Sequence, residues 1–445
     1  MTDDRPPTLA ASLVAAAHRH PTARAGAGPR GGPGPRWAEI VGRAREVALG
    51  LRAIGVKRGD RVGLLLDDGA HAPALELCVW VAGGAVVPVP ASLGVGPAGQ
   101  VLRGVGATWC LAERPDHTLG LVATSDEPTD KPSFSRLSAL GREADAAEPD
   151  AFERLLAGLP PDDPAVVVLD PDHAGERRAG FSHRSLHLGL QVLMRAFAAP
   201  VPPAAVASAT DEPELAPPVV VVGRWSDVTD RALGTWWPAA CGRDGHLVAH
   251  RGLPEATAGH HPVAVVADPA GWELIGTRLR DEARDVPGGV RLLDQSVDGR
   301  LDRVAHAGLR TAVGGRLRKA VGLDGCEVAL ATGQLDERTR LDFDAVGVAV
   351  VPAWTPAGVV GPVTVGRPPA AAADGWGRPV PGRSVHVVDP DGEGHGELLI
   401  TGAGLEDERE AEGAAGVATG RHGWIDRRGN VHLTPGPDAP QESGA

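Results

Sequence analysis

An alternation of helical and strand patterns over residues 37–89 constrains the fold of this chain more than any other feature. From Trp37 to Ile54, apolar residues recur at the spacing of one helix face, and Gly55 ends the pattern. Short apolar runs at 62–66 and 85–89 are typical of buried strands, and a helical pattern at 73–82 separates them. Since strands joined through a helix pair in parallel, we predict a parallel sheet covered by helices.

The rest of the chain continues this alternation and then changes character. Further strands are predicted at 165–169, 219–222, 247–249, 263–266, 328–331 and 348–351, and helical patterns at 8–20, 228–240 and 271–321. After Gly361, short β runs at 384–388, 397–401 and 430–433 indicate a small all-β subdomain. We therefore expect a flexible N-terminal segment (1–35), an α/β domain (36–365) with a surface insertion at about 114–163, a small β subdomain (366–434) and a disordered tail (435–445).

Composition and charge exclude several classes of protein. The chain has 445 residues, 42% of them hydrophobic, and a formal charge of −13, so we expect a globular protein without nucleic acid as a partner. Its four cysteines (Cys78, Cys110, Cys241 and Cys326) lie far apart, which favours buried free thiols over a zinc or redox site. We predict no transmembrane segment, no signal peptide and a cytoplasmic location.

The stretch from Ala165 to Leu186 has the pattern strand, polar loop, helix. This is the layout of a phosphate-binding site, because loop amides and a helix N-terminus can face an anion. The loop nevertheless carries three acidic residues, Asp170, Asp172 and Glu176. The order of elements suits nucleotide binding, but the acidic side chains of the loop do not suit a phosphate.

Six sets of segments match, in order, the pieces of one known family. They are Leu51–Val62; Ala82–Pro90 with Val105–Ala107; Asp227–Pro238; Gly308–Leu323 leading to Ala329–Gly333; Gly377–Gly382 with Gly396–Gly402; and Thr419–Gly420 with Gly423–Gly429. The chain thus resembles, over roughly residues 36–434, the large N-terminal domain of the AMP-forming acyl-CoA synthetases, members of the adenylate-forming (AMP-binding) superfamily. The long-chain fatty-acid branch fits best. The resemblance rests on the agreement of these independent local matches, each of which is weak alone.

The resemblance implies an α/β fold with two parallel-type sheet subdomains, covering helices and a small β subdomain. It also implies a two-step reaction in which a carboxylate attacks the α-phosphate of ATP and coenzyme A then takes the acyl group. Such chemistry needs donors on the phosphates, Mg²⁺, a nucleotide pocket and a positioned lysine. The family supplies that lysine from a C-terminal domain, which we expect to be absent here.

The family's phosphate loop, close to T-S-G-T-T-G-x-P-K-G, aligns with residues 170–179. Only Gly175 is kept, and Arg178 stands in place of the lysine. Acidic side chains facing a triphosphate would remove most useful ATP affinity, since each lost charge-assisted hydrogen bond costs roughly 1.5–3 kcal/mol. A metal site on Asp170, Asp172 and His173 is the functional alternative; we favour a solvated acidic turn.

Other positions of the family's site are altered as well. Asp227 replaces a histidine near the acyl site and also suits a helix N-cap. Trp354 either stacks on adenine or packs as an ordinary aromatic. Ala357 and Gly358 replace a threonine and the glutamate associated with Mg²⁺, and we expect no other acidic residue nearby to compensate. Arg421 replaces the aspartate that holds the ribose hydroxyls.

The resemblance therefore assigns cofactor binding to Gly175, Arg178, Gly333 and Trp354, and we predict no catalytic residue and no metal site. No tightly bound cofactor is expected, whereas ATP, Mg²⁺ and coenzyme A apply if the family activity survives. Three hypotheses stay open: an impaired homologue that binds a fatty acid, acyl-CoA or another protein; an active long-chain fatty acid–CoA ligase with a separate C-terminal domain; and a structural subunit of an active paralogue.

Overall fold

The computed structural model describes residues 7–26, 34–66, 71–113, 119–123, 133–169, 178–197, 216–297, 310–367, 375–407 and 416–434. The expected tail (435–445) and most of the Pro/Ala-rich stretch after residue 197 lie outside these residues. Within them, the chain forms three sheets of six, seven and four strands.

The first sheet contains the predicted parallel unit at its centre. Its strands are β1 (Arg61–Leu66), β2 (Ala85–Pro90), β3 (Ala107–Glu113), β4 (Leu119–Ala123), β5 (Pro164–Leu169) and β6 (Arg178–Ser182), in the order β4-β3-β1-β2-β5-β6. Strand β1 pairs in parallel with both β2 and β3, and β5 pairs in parallel with β2. The two outer strands, β4 and β6, are antiparallel to their neighbours. The prediction of a parallel sheet is thus confirmed for the inner strands.

Helices cover this sheet. They are α1 (Leu9–Arg19), α2 (Trp37–Ala53), α3 (Ala72–Val81), α4 (Val95–Gly104), α5 (Phe134–Ala147), α6 (Ala151–Gly158) and α7 (His183–Ala196), with a 3₁₀ turn at Ala91–Leu93. Helix α3 is buried along its whole length, including Glu76. It therefore lies inside the molecule and not on its surface.

The N-terminal segment confirms the helix predicted at 8–20 and corrects the expectation of flexibility for its described part. Residues 9–19 form a helix capped by Thr8, with Leu9 and Leu13 in the main hydrophobic core. Residues 24 and 25 form isolated bridges to Arg36 and Gly245. A flexible segment was expected because Gly and Pro are abundant after Ala23, but burial of the apolar face of α1 fixes residues 9–26.

The stretch 114–163 corrects another. It contains strand β4 and helices α5 and α6, and Leu137 and Phe152 from these helices are in the main core. Glycine allows α5 to lie directly on α2: a Cβ added to Gly141 would be 1.7 Å from the Glu46 carbonyl oxygen. The acidic, polar composition reflects the outer faces of these helices and conceals their few buried residues.

The second sheet is parallel through its first five strands in sequence. It contains β7 (Val219–Val222), β8 (Gly245–Val248), β9 (Ala264–Ala267), β10 (Val328–Ala331), β11 (Val351–Trp354), β12 (Thr364–Val365) and β13 (Arg378–Pro379), in the order β13-β12-β11-β10-β9-β7-β8. Its helices are α8 (Val228–Arg231), α9 (Trp237–Ala240), α10 (Leu253–His260), α11 (Pro269–Asp285), α12 (Gly289–Val297), α13 (Gly315–Ala320) and α14 (Glu337–Val346). A π-helical segment, Ala232–Trp236, joins α8 to α9; another lies at Arg310–Gly314, and His250–Gly252 is a 3₁₀ turn.

Two of the predictions for this region need adjustment. The single helical pattern at 271–321 is divided between α11, α12 and α13, with residues 298–309 outside the described part. The strand predicted at 348–351 begins only at Val351, because Val348 and Val350 pack in the core before the strand pairing starts.

The third sheet is small and antiparallel, as predicted. Its strands β14 (Arg383–Val388), β15 (Gly396–Gly402), β16 (Val417–Ile425) and β17 (Val431–Leu433) pair in sequence order. Its buried face packs around Leu398, Ile400 and Trp354.

One buried arginine connects this sheet to the preceding loop. Arg383 is 6% exposed, and its guanidinium donates to the carbonyl oxygens of Val360, Gly361 (3.1 Å), Pro362 (2.6 Å) and Ala403 (3.1 Å). These bonds satisfy carbonyl groups that no strand partner reaches. Among the described residues, no helix has the length and apolarity needed to cross a membrane.

Candidate ligand-binding sites

The predicted phosphate loop leads into a strand and not directly into a helix. Residues 170–177, including Gly175, lie outside the described residues. Arg178 is the first residue of β6 and pairs with Leu169 of β5, and α7 begins only at His183. The predicted order strand, loop, helix is therefore corrected to strand, loop, strand, helix, so the loop is separated from the helix N-terminus by β6.

The N-terminus of α7 is occupied by the chain's own carboxylate. Ser182 is the N-cap, as expected, and its Oγ accepts from the Ser185 amide. Asp407 accepts from the Ser182 amide, from Ser182 Oγ at 3.1 Å and from Ser185 Oγ at 3.3 Å. Burial raises the pKa of Asp407, and the hydrogen bonds from Ser182 act in the opposite direction. An anion is thus already placed where a helix end attracts one.

Asp227 is a helix cap. Its Oδ1 accepts from the Asp230 amide at 3.0 Å, at the start of α8. This is the structural alternative considered for Asp227, and it is confirmed. The side chain is exposed, so a carboxylate and not an imidazole faces solvent here.

Trp354 and Gly333 lie at the ends of neighbouring strands of the second sheet. Trp354 is the last residue of β11, is 5% exposed and packs in the core of the small sheet. Gly333 follows β10, and a Cβ there would be 2.6 Å from Cγ of Pro269, the first residue of α11. Gly333 therefore permits close packing, and little of the Trp354 ring is open to a ligand.

A carboxylate does lie beside Gly358, contrary to the expectation from the local sequence. A Cβ added to Gly358 would be 2.9 Å from Cδ of Glu406 and 3.1 Å from both of its carboxylate oxygens. The Glu406 amide also donates to the Gly358 carbonyl oxygen at 3.0 Å, next to the bridge between Val359 and Leu405. The expectation that no acidic residue lies nearby was wrong, because this carboxylate comes from a segment distant in sequence.

Glu406 and Asp407 bring two predicted regions together. Glu406 contacts the turn at Gly358, and Asp407 contacts the start of α7. The same short segment therefore joins the position expected for metal binding to the element that follows the expected phosphate loop.

The segment that the resemblance connects with ribose binding is a turn ordered by hydrogen bonds. Thr419 Oγ1 donates to the Leu398 carbonyl oxygen at 2.8 Å and accepts from the Arg421 amide at 3.1 Å, and Gly420 has φ 66°. Arg421 is exposed. A guanidinium only donates, so it cannot accept from sugar hydroxyls.

Sequence reasoning missed a buried ion pair between the first two sheets. Glu76 of α3 and Arg231 of α8 are 2% and 1% exposed and form an ion pair. Glu76 also accepts from Nε1 of Trp236 at 2.9 Å. Burial raises the pKa of Glu76, against the opposing charge of Arg231. The available signal was a single acid within the otherwise apolar run 72–81.

The described residues offer little to a metal ion. They contain no group of three or more His, Cys, Asp or Glu side chains that could hold one. At the position that the resemblance connects with Mg²⁺, they supply the single carboxylate of Glu406. Mg²⁺ often binds through one or two carboxylates together with substrate phosphates, so this residue fits only a partial site.

Solved structures share this architecture over nearly the whole chain. The inhibitor-bound N-terminal domain of FACL13 from Mycobacterium tuberculosis is 16% identical with a TM-score of 0.62, covering 96% of this chain and 99% of that one. A long-chain-fatty-acid-CoA ligase (FadD1) from Archaeoglobus fulgidus is 13% identical with a TM-score of 0.63, covering 97% and 84%. VinN in complex with L-aspartate is 15% identical with a TM-score of 0.63, covering 96% and 98%.

These likenesses define the class of fold: the chain has the α/β fold of the N-terminal domain of adenylate-forming enzymes. The predicted fold class is confirmed. Residues 14–169 also match the model of the family described as AMP-binding enzyme. No curated protein matches the sequence.

Proposed function

We propose that this protein is a homologue of the AMP-forming acyl-CoA ligases with an impaired adenylation site, acting as a binding, regulatory or scaffold protein in acyl metabolism. The observation that carries the proposal is Arg421. The turn around Thr419 and Gly420 is ordered by side-chain and backbone hydrogen bonds, yet its acceptor is replaced by an exposed cation. A ribose would meet the donors of Arg421, and the carboxylate beside this turn, Glu397, already accepts from the Gly420 amide at 3.2 Å.

The start of α7 supports the same conclusion. Asp407 already accepts three hydrogen bonds there, at the end of β6 opposite the loop between β5 and β6, so a phosphate would have to compete with a carboxylate for this helix end. The loop between β5 and β6 carries Asp170, Asp172 and Glu176 in addition. A triphosphate near this loop would therefore meet like charges, which weakens binding.

The ligand that we propose is a fatty acid, an acyl-CoA or a protein partner, with the long-chain branch suggested by the sequence motifs. Gly175, Arg178, Gly333 and Trp354 remain the proposed nucleotide contacts should any nucleotide bind. The buried cysteines Cys78, Cys110 and Cys241 are free thiols, which is consistent with a protein located in the reducing cytoplasm.

A working ligase is the second candidate, and Glu406 is the observation that favours it. Its carboxylate lies where a side chain from position 358 would be, so it can take the place of the missing glutamate at that position. A lysine-bearing domain would then act with this chain, either linked to it or as a separate subunit. ATP, Mg²⁺ and coenzyme A would be its cofactors.

ATP–pyrophosphate exchange with a panel of fatty acids separates the two candidates. We expect no exchange above background from the purified protein, or from its Glu406→Gln variant. Exchange by the wild type that Glu406→Gln abolishes would establish the second candidate and overturn the first.

A thermal-shift screen then tests the proposed binding role. We expect palmitate or palmitoyl-CoA to raise Tm, because a ligand that binds only the native state stabilises it, and we expect ATP and AMP to leave Tm unchanged. An absence of any shift with the acyl compounds contradicts the small-ligand part of the proposal. A shift with ATP contradicts the proposed impairment.

A further inference from the structure

The outermost strand of the third sheet leaves one edge open. Strand β14 is at the end of the sheet and pairs only with β15. Two other edge strands are covered by the chain itself: the Gly26 amide donates to the Gly245 carbonyl oxygen of β8 at 2.8 Å, and the Trp376 amide donates to that of Val431 in β17 at 2.8 Å. Within the described part of the chain, no segment pairs in this way with residues 384–388.

Backbone groups on this open edge are available for pairing. In an antiparallel pair, residues that exchange hydrogen bonds with the neighbouring strand alternate with residues whose N–H and C=O point away from it. The Ala403 amide donates to the Gly382 carbonyl oxygen at 3.1 Å, so these two residues are a bonded pair. By the register of β14 with β15, the outward groups belong to Arg383, Val385 and Val387. The Arg383 amide donates to a carbonyl of the preceding turn, whereas the described residues offer no partner to the outward groups of the two valines.

The strand also lacks features that commonly block a sheet edge. Natural proteins protect open edges with exposed lysines, prolines or bulges. Residues 384–388 contain no charged residue and no proline, and their register with β15 has no bulge. The side chains of Ser384, His386 and Val388 are exposed, and Val388 is 37% exposed although it is apolar. A further strand can therefore approach this edge without meeting a charge or a distortion.

The sequence of β14 favours a second copy of the same strand as that partner. Val385 and Val387 flank His386, so antiparallel pairing about a twofold axis at His386 places Val385 of each copy opposite Val387 of the other. Every outward N–H and C=O group of these valines then finds a partner. In the same register Asp389 lies opposite residue 383 of the other copy, so the two Asp389 carboxylates do not face each other.

We propose that the protein forms a homodimer by antiparallel pairing of β14 with β14 of a second copy, which joins the two small sheets into one continuous sheet. Pairing through one short strand buries little area, so the dimer is reversible. Strand β14 contains none of the residues discussed for nucleotide binding, and the dimer does not depend on retained ligase activity.

Sedimentation velocity on the full chain tests the proposal. We expect the mean mass to rise from 45.7 kDa toward twice that value as the concentration increases through the micromolar range. Hydrogen–deuterium exchange locates the contact: the amides of Val385 and Val387 should exchange more slowly in the dimer than in the monomer. A monomer throughout this range, or a dimer in which these two amides exchange as fast as in the monomer, would overturn the proposal.

Opposite charges at position 386 test the twofold axis. His386→Lys and His386→Glu each place like charges opposite one another, so each variant alone should dimerise about fivefold more weakly than the wild type. An equimolar mixture of the two should recover the dimer, because a lysine then faces a glutamate. His422→Lys, at an exposed position two strands away on β16, is the matched control and should dimerise like the wild type.

Both positions are exposed, so these variants should keep the fold. The His386 side chain makes one hydrogen bond, between Nε2 and Thr401 Oγ1 at 3.0 Å, on the exposed face. An unchanged Tm shows that a loss of dimer is not a loss of folding. Failure of the mixture to recover the dimer, or an equal loss in His422→Lys, would show that β14 does not pair with its own copy.

Discussion

At the scale of single residues, the pKa of the Asp230 carboxyl is raised toward neutral pH. It is partly buried in α8, and its carboxylate accepts from the Arg224 amide at 2.8 Å. Burial first, and then the nearby charge of Asp227, raise its pKa to about 8. The folded protein therefore holds a proton there that the unfolded chain releases above its ordinary pKa near 4.

This predicts a pH-dependent loss of stability. Because the folded-state pKa is raised, the stabilising contribution is complete below about pH 4 and is lost as pH rises toward 8. The free energy of unfolding of Asp230→Asn, measured relative to that of the wild type, should rise by about 2 kcal/mol between pH 5 and pH 8. This value allows for the partial solvation of the carboxylate. Urea denaturation at both pH values measures this difference.

Asp281 provides the matched control. Its side chain is 60% exposed and pairs with Arg284 within α11, so Asp281→Asn should change stability little and equally at both pH values. An equal response of the two variants would show that the carboxylate of Asp230 ionises normally in the folded state.

Some residue roles could be predicted from sequence and others could not. The caps Ser182 and Asp227 were predictable, because a cap depends on the residue itself and on an amide three positions later. The place of Glu406 beside Gly358 depends on a contact between segments that are distant in sequence. No local pattern carries that information.

At the scale of elements, the crossing of α2 and α5 depends on two glycines. A Cβ at Gly50 would be 2.2 Å from the Leu137 carbonyl oxygen, and a Cβ at Gly141 would be 1.7 Å from that of Glu46. Each helix thus places a glycine against the backbone of the other. The two axes can approach more closely than ordinary side chains would allow.

We predict that Gly141→Ala costs at least about 2 kcal/mol, because the backbones must separate to admit the methyl group. Gly42→Ala, an exposed site on α2 with nothing within 4 Å, should instead stabilise by about 0.5–1 kcal/mol through helix propensity. Urea denaturation measures both changes. A stabilising Gly141→Ala would show that α5 does not lie this close to α2.

Elements with strong apolar patterns were predicted well, and those defined by pairing were not. The four consecutive valines of β7 and the run Val328–Ala331 of β10 are strands at the predicted positions. Strand β6 was missed, since Arg178–Ser182 becomes a strand only by pairing with β5. Helix α5 was missed because few of its residues are buried.

At the scale of the whole molecule, the buried pair of Glu76 and Arg231 connects the first sheet's helices to those of the second. Both side chains are almost completely buried. Removing one partner of such a pair leaves a buried charge, whereas replacing both often costs little. The pair therefore affects how the two layers hold together more than any exposed ion pair does.

We predict that Arg231→Met alone costs about 3–5 kcal/mol, and less as the pH falls, because burial raises the pKa of Glu76 and favours its protonated form. The double variant Glu76→Gln/Arg231→Met should lose less than half as much. Urea denaturation of the three proteins measures the differences. Equal losses from the single and double variants would show that the charge left on Glu76 is not the cause.

The guanidinium of Arg383 has a consequence for dividing the chain into fragments. Its acceptors at residues 360–362 precede the small β subdomain proposed for 366–434, whereas Arg383 itself begins β14. A fragment that stops before residue 383 would lack the Arg383 guanidinium that donates to its carbonyl oxygens. The isolated β subdomain would expose to solvent a guanidinium that is buried in the intact chain. Cutting near residue 365 should therefore give two unstable products, although the change in sequence character there suggests a natural boundary.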